Sequence, residues 1–246
     1  MWLSGPVAVA QLNESDTLHF QLRASLTGSY QQGNVALLTM RGRLDFSSQF
    51  SRNLVFKSQN SGLYQEFNSI KGDNDLFSRN FLYYCPTRKV YPFTIGFVSA
   101  NFRRKLTLRY FGGAGATIQL LQKHLHTLKA STGLVRESSY FSNSNYTVSV
   151  YNGNKTINVW RATTWLMGKH QVTHTFRIFY DFYWQPALGN AQNYRWQTDI
   201  GMDFSLWKGL SVNVLYLYTY ENVVVETVKR QDQLLTFGLS FTKNFP

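Results

Sequence analysis

The residues best suited to chemistry in this chain are five histidines, His19, His124, His126, His170 and His174. A lipid hydrolase or acyltransferase needs a histidine base paired with a serine, and a third polar group that orients the imidazole. His174 shares its parity with the apolar Phe176 and Ile178, which would put a base at a lipid boundary, yet no particular serine is marked as its partner. An interfacial polar residue is the simpler reading, and the expectation is that the protein is not an enzyme. His124 and His126 lie two apart and would share a strand face, but two ligands do not make a metal site. Asp73 and Asp75, in Gly72-Asp73-Asn74-Asp75, lack the glycine and distal glutamate of a calcium loop. Gly112-Gly113-Ala114-Gly115 lacks the strand-to-helix setting of a phosphate cradle. The lone Cys85 supports neither a disulfide framework nor a thiolate zinc site. The sequence points to no catalytic residue, no metal and no cofactor.

Charge and composition exclude further classes. Lys and Arg number 25 against 13 Asp and Glu, a formal net charge of +12, but they are dispersed with no dense basic run. Nucleic-acid binders gather such charge into a patch or stripe, so nucleic acid is not an expected partner. With 43% hydrophobic and 16% aromatic residues the chain is too apolar to be disordered. No stretch approaches the roughly 18 apolar residues of a spanning helix.

The elements that must position these charges follow from period-two alternation, the mark of strands with two different faces. Tyr194, Trp196, Ile200, Met202, Phe204 and Leu206 fall on one parity; Arg195, Gln197, Asp199, Gly201, Asp203 and Ser205 fall on the other. The split recurs through 18–30, 38–46, 172–184, 210–220 and 235–242. A soluble sandwich also alternates, but its strands run to about 5–6 residues. Here they are longer, and large aromatics sit near strand ends on the apolar parity: Trp184, Tyr194, Trp196, Tyr218 and Tyr220. Long tilted strands, an apolar outer band and aromatic girdles describe a transmembrane barrel. Lipid offers no partner to backbone amides, so a spanning sheet must close on itself.

The expected fold is therefore all-β, a closed antiparallel transmembrane β-barrel of about twelve strands over 11–246, in a single domain. The predicted strands are 17–30, 35–47, 53–66, 75–85, 91–101, 103–120, 124–137, 156–167, 170–184, 193–207, 210–222 and 231–245. Segments 53–66 and 75–101 alternate weakly, which leaves a count of ten open. Short turns are expected at Met167-Gly168-Lys169-His170 and Trp207-Lys208-Gly209, and longer outer connections at 140–155, 185–192 and 222–230. Ala8-Val9-Ala10 resembles the end of a secretory signal; residues 1–10 are read as its remnant or as a disordered N-terminus. If the apolar parity faces lipid, the lumen receives Arg23, Arg41, Arg43, Asp45, Lys57, Arg109, Lys129, Glu137, Arg161, Arg177, Asp181, Arg195, Asp199 and Asp203. Such groups either pair into a network that fills the barrel or line a narrow pore that prefers anions. Arg103-Arg104-Lys105, at a predicted outer turn, would meet the phosphates of lipopolysaccharide.

Five features in order resemble the YdiY-like salt-induced outer-membrane proteins, a domain family of unknown function. They are Gly28-Ser29-Tyr30-Gln31-Gln32-Gly33-Asn34; Arg109-Tyr110-Phe111 followed by the glycine ladder 112–115; Trp160-Arg161-Ala162; Asn193-Tyr194-Arg195; and Lys229 with Asp232. The resemblance implies a barrel in a Gram-negative outer membrane and no reaction. It also implies handling by the barrel-assembly machinery, which reads a terminal aromatic strand. Gly238, Phe241 and Phe245 keep that spacing, although Lys243 interrupts the apolar parity and Pro246 follows the last aromatic. The expected function is a structural or stress-related envelope protein, or a narrow pore for small anions. The rival readings are a membrane scaffold that docks an envelope partner through residues 138–156 and a lipid-modifying enzyme.

Overall fold

The computed structural model describes residues 12–15, 19–32, 36–123 and 125–245. Residues 1–10, expected to be a signal remnant or a disordered N-terminus, lie outside them, as do His124, Pro246 and the Gly33-Asn34 turn. Twelve strands follow one another: β1 (Phe20–Gln31), β2 (Leu37–Ser51), β3 (Leu54–Phe67), β4 (Ile70–Tyr84), β5 (Val90–Asn101), β6 (Leu106–Lys123), β7 (His126–Phe141), β8 (Thr156–Gln171), β9 (Phe176–Pro186), β10 (Tyr194–Trp207), β11 (Leu210–Glu221) and β12 (Gln231–Phe245). Each pairs antiparallel with its neighbour in sequence, and β1 meets β12 from Phe20↔Phe245 to Thr27↔Gly238, which closes the barrel. Closure leaves no free edge, as hydrocarbon requires.

The two ends differ. The turn end holds both β1's start and β12's finish, with tight connections such as Lys208-Gly209, where Gly209 takes φ +90°. The loop end carries the long connections 142–155, 187–193 and 222–230, together with short ones at 68–69 and 102–105. Residues 167–170, predicted as a turn, lie within β8; the chain reverses at 172–175 instead. Gly168 is there because Tyr180 lies across it: a Cβ would sit 2.2 Å from the tyrosine ring.

The weak alternation of β4 and β5 has a clear cause. Many of their inward positions are apolar, with Phe81, Tyr83, Tyr91, Phe93 and Ile95 all buried, while small or polar residues such as Ser78, Thr94 and Gly96 point outward. These rings join Phe111, Val135 and Trp165 as an apolar slab inside the barrel. The other half of the lumen is mostly charged or polar, with a smaller apolar cluster of Phe179, Leu215 and Leu217 set into it. The slab meets the charged side where Arg195 lies over Phe111 at 5.7 Å, and the smaller cluster meets it where Arg23 lies over Phe179 at 5.0 Å.

This assignment of inside and outside predicts a contrast between tryptophans. Trp165 is 2% exposed in the lumen, whereas Trp184 is 45% exposed on the outer wall. In single-tryptophan variants placed in vesicles with brominated acyl chains, Trp184 fluorescence should be strongly quenched and Trp165 fluorescence little affected. Equal quenching would place Trp165 against lipid and overturn the packing.

Candidate functional site: a charged lumen and the segment that closes it

The side chains predicted for the lumen do occupy the inner wall, and the strand register stacks them in layers. Near the loop end, Arg109 holds Glu221 through two parallel bonds of 2.8 and 2.9 Å. Glu137, 1% exposed, accepts from Arg161 at 3.1 and 3.2 Å and from Arg195, with Arg109 3.6 Å away. Arg195 also donates to Gln185 Oε1 at 2.7 Å, and Arg161 to Asn193 Oδ1 at 2.8 Å. At mid-height Arg43 pairs with Asp45 at 2.8 Å, and Gln197 donates to Asp199 at 2.7 Å. Lower down Arg23 pairs with Asp203 at 3.1 Å, while Arg177 donates to Gln171 Oε1 at 2.7 Å. Buried charges persist when they are paired and hydrogen-bonded; most of these meet that condition, while Arg23 Nε, Arg195 Nη1 and Asp181 Oδ1 are buried without a hydrogen-bond partner among the described residues.

Sequence reasoning missed several members. Arg79 reaches Asp181 at 2.9 Å, but its neighbours two residues away on the same face are Phe77 and Phe81, so no local alternation of charge marked it. Arg104, placed at an outer turn facing lipopolysaccharide, is turned inward: it is buried and pairs with Asp232 at 2.6 Å and Glu221 at 3.4 Å. Arg103 bridges Asp73 and Asp232 at 3.3 and 3.1 Å. The short 102–105 turn tilts over the mouth, and three acids there outcompete solvent for its arginines.

The largest omission is at the turn end. Residues 12–15 lie inside the barrel and all four are buried. Glu14 bonds Lys57 at 3.1 Å, Lys129 at 2.9 Å and the Tyr91 hydroxyl at 2.8 Å. Lys129 also donates to Asn13 Oδ1 at 2.6 Å and Ser15 Oγ at 2.8 Å, and Ser15 Oγ donates to the Pro86 carbonyl at 2.6 Å. Lys57 and Lys129 were legible as lumen residues; the carboxylate that answers them comes from a stretch with no periodicity.

Space inside the barrel is uneven. A chamber of about 150 Å³ opens at the loop end among Arg41, Asp75, Arg104, Arg109, Gln197 and Glu221. Arg41 is buried there; its Nε donates to Ser61 Oγ at 3.1 Å, and its two terminal nitrogens have no hydrogen bond to a described residue. The gaps on the loop-end side of Glu137 and beside Glu14 are about 10 and 20 Å³, room for about one water each.

The outer wall bears the predicted ledge of aromatics. Trp184 faces Trp196, which faces Tyr220; Trp196 stacks on Tyr218 at 4.7 Å and Tyr194 on Tyr220 at 5.8 Å, all toward the loop end. A second ledge at the turn end, Phe20, Phe46, Phe56 and Phe245, went unpredicted. In β12, Phe241 and Phe245 face outward, and Lys243 lays its ammonium over the Phe245 ring at 4.8 Å, so the interrupting lysine sits at the wall's rim. Gly238 faces inward, where a Cβ would meet the Leu26 carbonyl at 2.2 Å. His174 is exposed in the 172–175 turn. His126 and His170 instead meet on the outer face, Nδ1 to Nδ1 at 3.3 Å, with the Tyr180 hydroxyl 3.1 Å from His170 Nε2. Among the described residues no three His, Cys, Asp or Glu side chains gather where they could hold a metal ion.

Comparison with known proteins agrees with this architecture. No curated protein matches the chain. A structure of the NanC porin covers 90% of this chain and 98% of its own, at 9% identity and a TM-score of 0.51. The translocator domain of the autotransporter NalP from Neisseria meningitidis covers 92% and 89%, at 9% identity and a TM-score of 0.46. At such identity the likeness to NanC establishes a shared barrel fold only. Residues 24–242 match a family described as "Protein of unknown function, DUF481". That match runs from within β1 to within β12 and takes in most of the lumen network, and on it the chain belongs to the DUF481 family.

Proposed function

We propose that the protein is a narrow, anion-preferring conduit of a Gram-negative outer membrane, closed in the state described here by its own N-terminal segment. The loop end faces outward, and the turn end opens to the periplasm. The observation that carries this reading is the pairing of Glu14 with Lys57 and Lys129 inside the turn end. Four residues fill the mouth, held by charge pairs that can be exchanged for solvent or anions rather than by an apolar seal. At the outer mouth Arg41 presents an unengaged guanidinium edge to the chamber, a suitable first contact for a small anion.

The test is planar-bilayer conductance. The unaltered chain should be nearly silent. Glu14→Ala removes the carboxylate that both lysines hold, leaves two cationic side chains at the mouth, and should give small openings with anion over cation preference. Glu14→Ala protein that folds yet stays silent would sink the conduit and leave a structural envelope barrel.

A docking role has one observation of its own. The 142–155 connection is ordered against 222–230: Tyr146 bridges Val225, and Phe141, Tyr146, Val148, Val223 and Val225 are buried together. This ordered outer platform would present residues 138–156 to an envelope partner. Lipopolysaccharide, as the surrounding lipid, would meet Lys105 and the exposed part of Arg103 rather than Arg104. Lipid-modifying chemistry is the reading with least support, since His174 stands in a turn beside Thr173 and Thr175.

A further inference from the structure

One stretch of the outer wall is built unlike the rest. On β3 and β4 the positions of outward parity at mid-height are Ser58 and Asn60 facing Asn80 and Ser78; Asn60, Ser78 and Asn80 are half-buried, and Ser58 is covered by its neighbours. Phe56 and Tyr64 bracket them on β3, and Leu76 and Leu82 on β4, so this polar square lies within the apolar band. At similar height across the barrel, β10 and β11 carry Ile200, Met202, Val214 and Tyr216. Asn60 Nδ2 donates to Ser58 Oγ at 3.0 Å and to the Leu44 carbonyl at 3.2 Å; Asn80 Nδ2 donates to Ser78 Oγ at 3.0 Å. No described residue donates to either amide oxygen. Hydrocarbon supplies no donor, and a polar group left unpaired there is costly.

The wall beside the square is also thin. Gly42 faces Gly62 across β2 and β3, and Gly96 faces Gly112 across β5 and β6. An external depression of about 730 Å³ opens over Gly42, Gly62, Ser78 and Ala100, with Leu44 and Leu76 standing exposed beside it. Within membranes, small residues let two protein surfaces approach closely, and polar side chains bond across the contact. An acyl chain would fill the depression but leave the amide oxygens without donors.

We propose that this face is the contact between two copies of the chain, related by a twofold axis. A twofold contact must be complementary to itself. Amides and hydroxyls satisfy that condition because each can both donate and accept. The outward positions of the square and the depression carry no charge that would select a different, charged partner. The proposal does not depend on whether the lumen conducts.

Native mass spectrometry of the unaltered protein released from lipid nanodiscs should show two copies. A single copy, with or without bound lipid, would overturn the proposal. Asn60→Leu combined with Asn80→Leu should leave one copy while the barrel stays folded, seen as a heat-shifted band in detergent gels. Gly42→Trp provides an independent arm, since nothing lies within 4 Å of a Cβ there and the ring would only fill the depression. It too should give one copy. Two copies retained in a folded variant of either kind would show that this face is not the contact.

Discussion

Replacing Glu137 by glutamine should destabilise the barrel by about 3–5 kcal/mol, the usual cost of removing one partner from a buried ion pair. Glu137 is 1% exposed and is the carboxylate shared by Arg161 and Arg195, with Arg109 close by. Glu221 still answers Arg109 after the change, but Arg161 and Arg195 keep only neutral acceptors. Glutamine preserves the volume, so the loss reads as charge and not as a cavity. Urea unfolding of barrels refolded into vesicles should show a lower midpoint with an unchanged slope. Arg195→Met in the Glu137→Gln background should recover part of the loss, because the second change removes one orphaned cation and the two sites do not add. An unaltered midpoint would mean that water reaches this layer and screens it, and the packed lumen described here would be wrong.

The legibility of such layers depended on which wall they occupy. On β1, β2 and β9 to β12 the inward parity is mostly charged or polar, Phe179, Leu215 and Leu217 excepted, and the outward parity mostly apolar, so Arg23, Asp45, Arg177, Asp181 and Asp203 could be read directly. On β4 and β5 the physics that makes a pattern is suspended. The inward side packs against other side chains instead of water, and accepts Phe81 or Phe93, while part of the outward side is small and polar. Two faces of similar hydropathy yield no alternation, which hid Arg79 and left the strand count open. Gly168 and Lys169 look like a turn by composition, but the glycine is needed under Tyr180 and the strand continues. Glu14 was beyond reach for a different reason. Its partners stand 43 and 115 residues away, and no local pattern announces a contact that only barrel closure creates. What could be read was that Lys57 and Lys129 stand on the inner parity.

Gly115→Ala should cost folded yield far out of proportion to a single added methyl. β6 and β7 approach so closely on their inner faces that a Cβ at Gly115 would lie 2.2 Å from the Thr132 carbonyl, 2.7 Å from the Phe93 ring and 2.8 Å from Gly133 Cα. Gly113 is similar, at 2.0 Å from the Leu134 carbonyl. The glycines let the wall bend tightly around the apolar slab, and the ring of Phe93 takes the room that a side chain would occupy. Backbone cannot step aside as a flexible side chain can, so the methyl must shift the β6–β7 pairing, the seam that also carries Arg109, Lys129 and Glu137. Overpacking of this kind typically costs about 1–3 kcal/mol, and a clash with the β7 backbone at two points belongs at or above the upper end. Gly189→Ala supplies the control, because that loop position has nothing within 4 Å of a Cβ. The measurement is the fraction of heat-shifted barrel in detergent gels after refolding: sharply reduced for Gly115→Ala and unaltered for Gly189→Ala. Equal yields would show that β6 and β7 can part without loss, in which case the slab, and the greasy half of the lumen with it, does not hold the wall in the shape described.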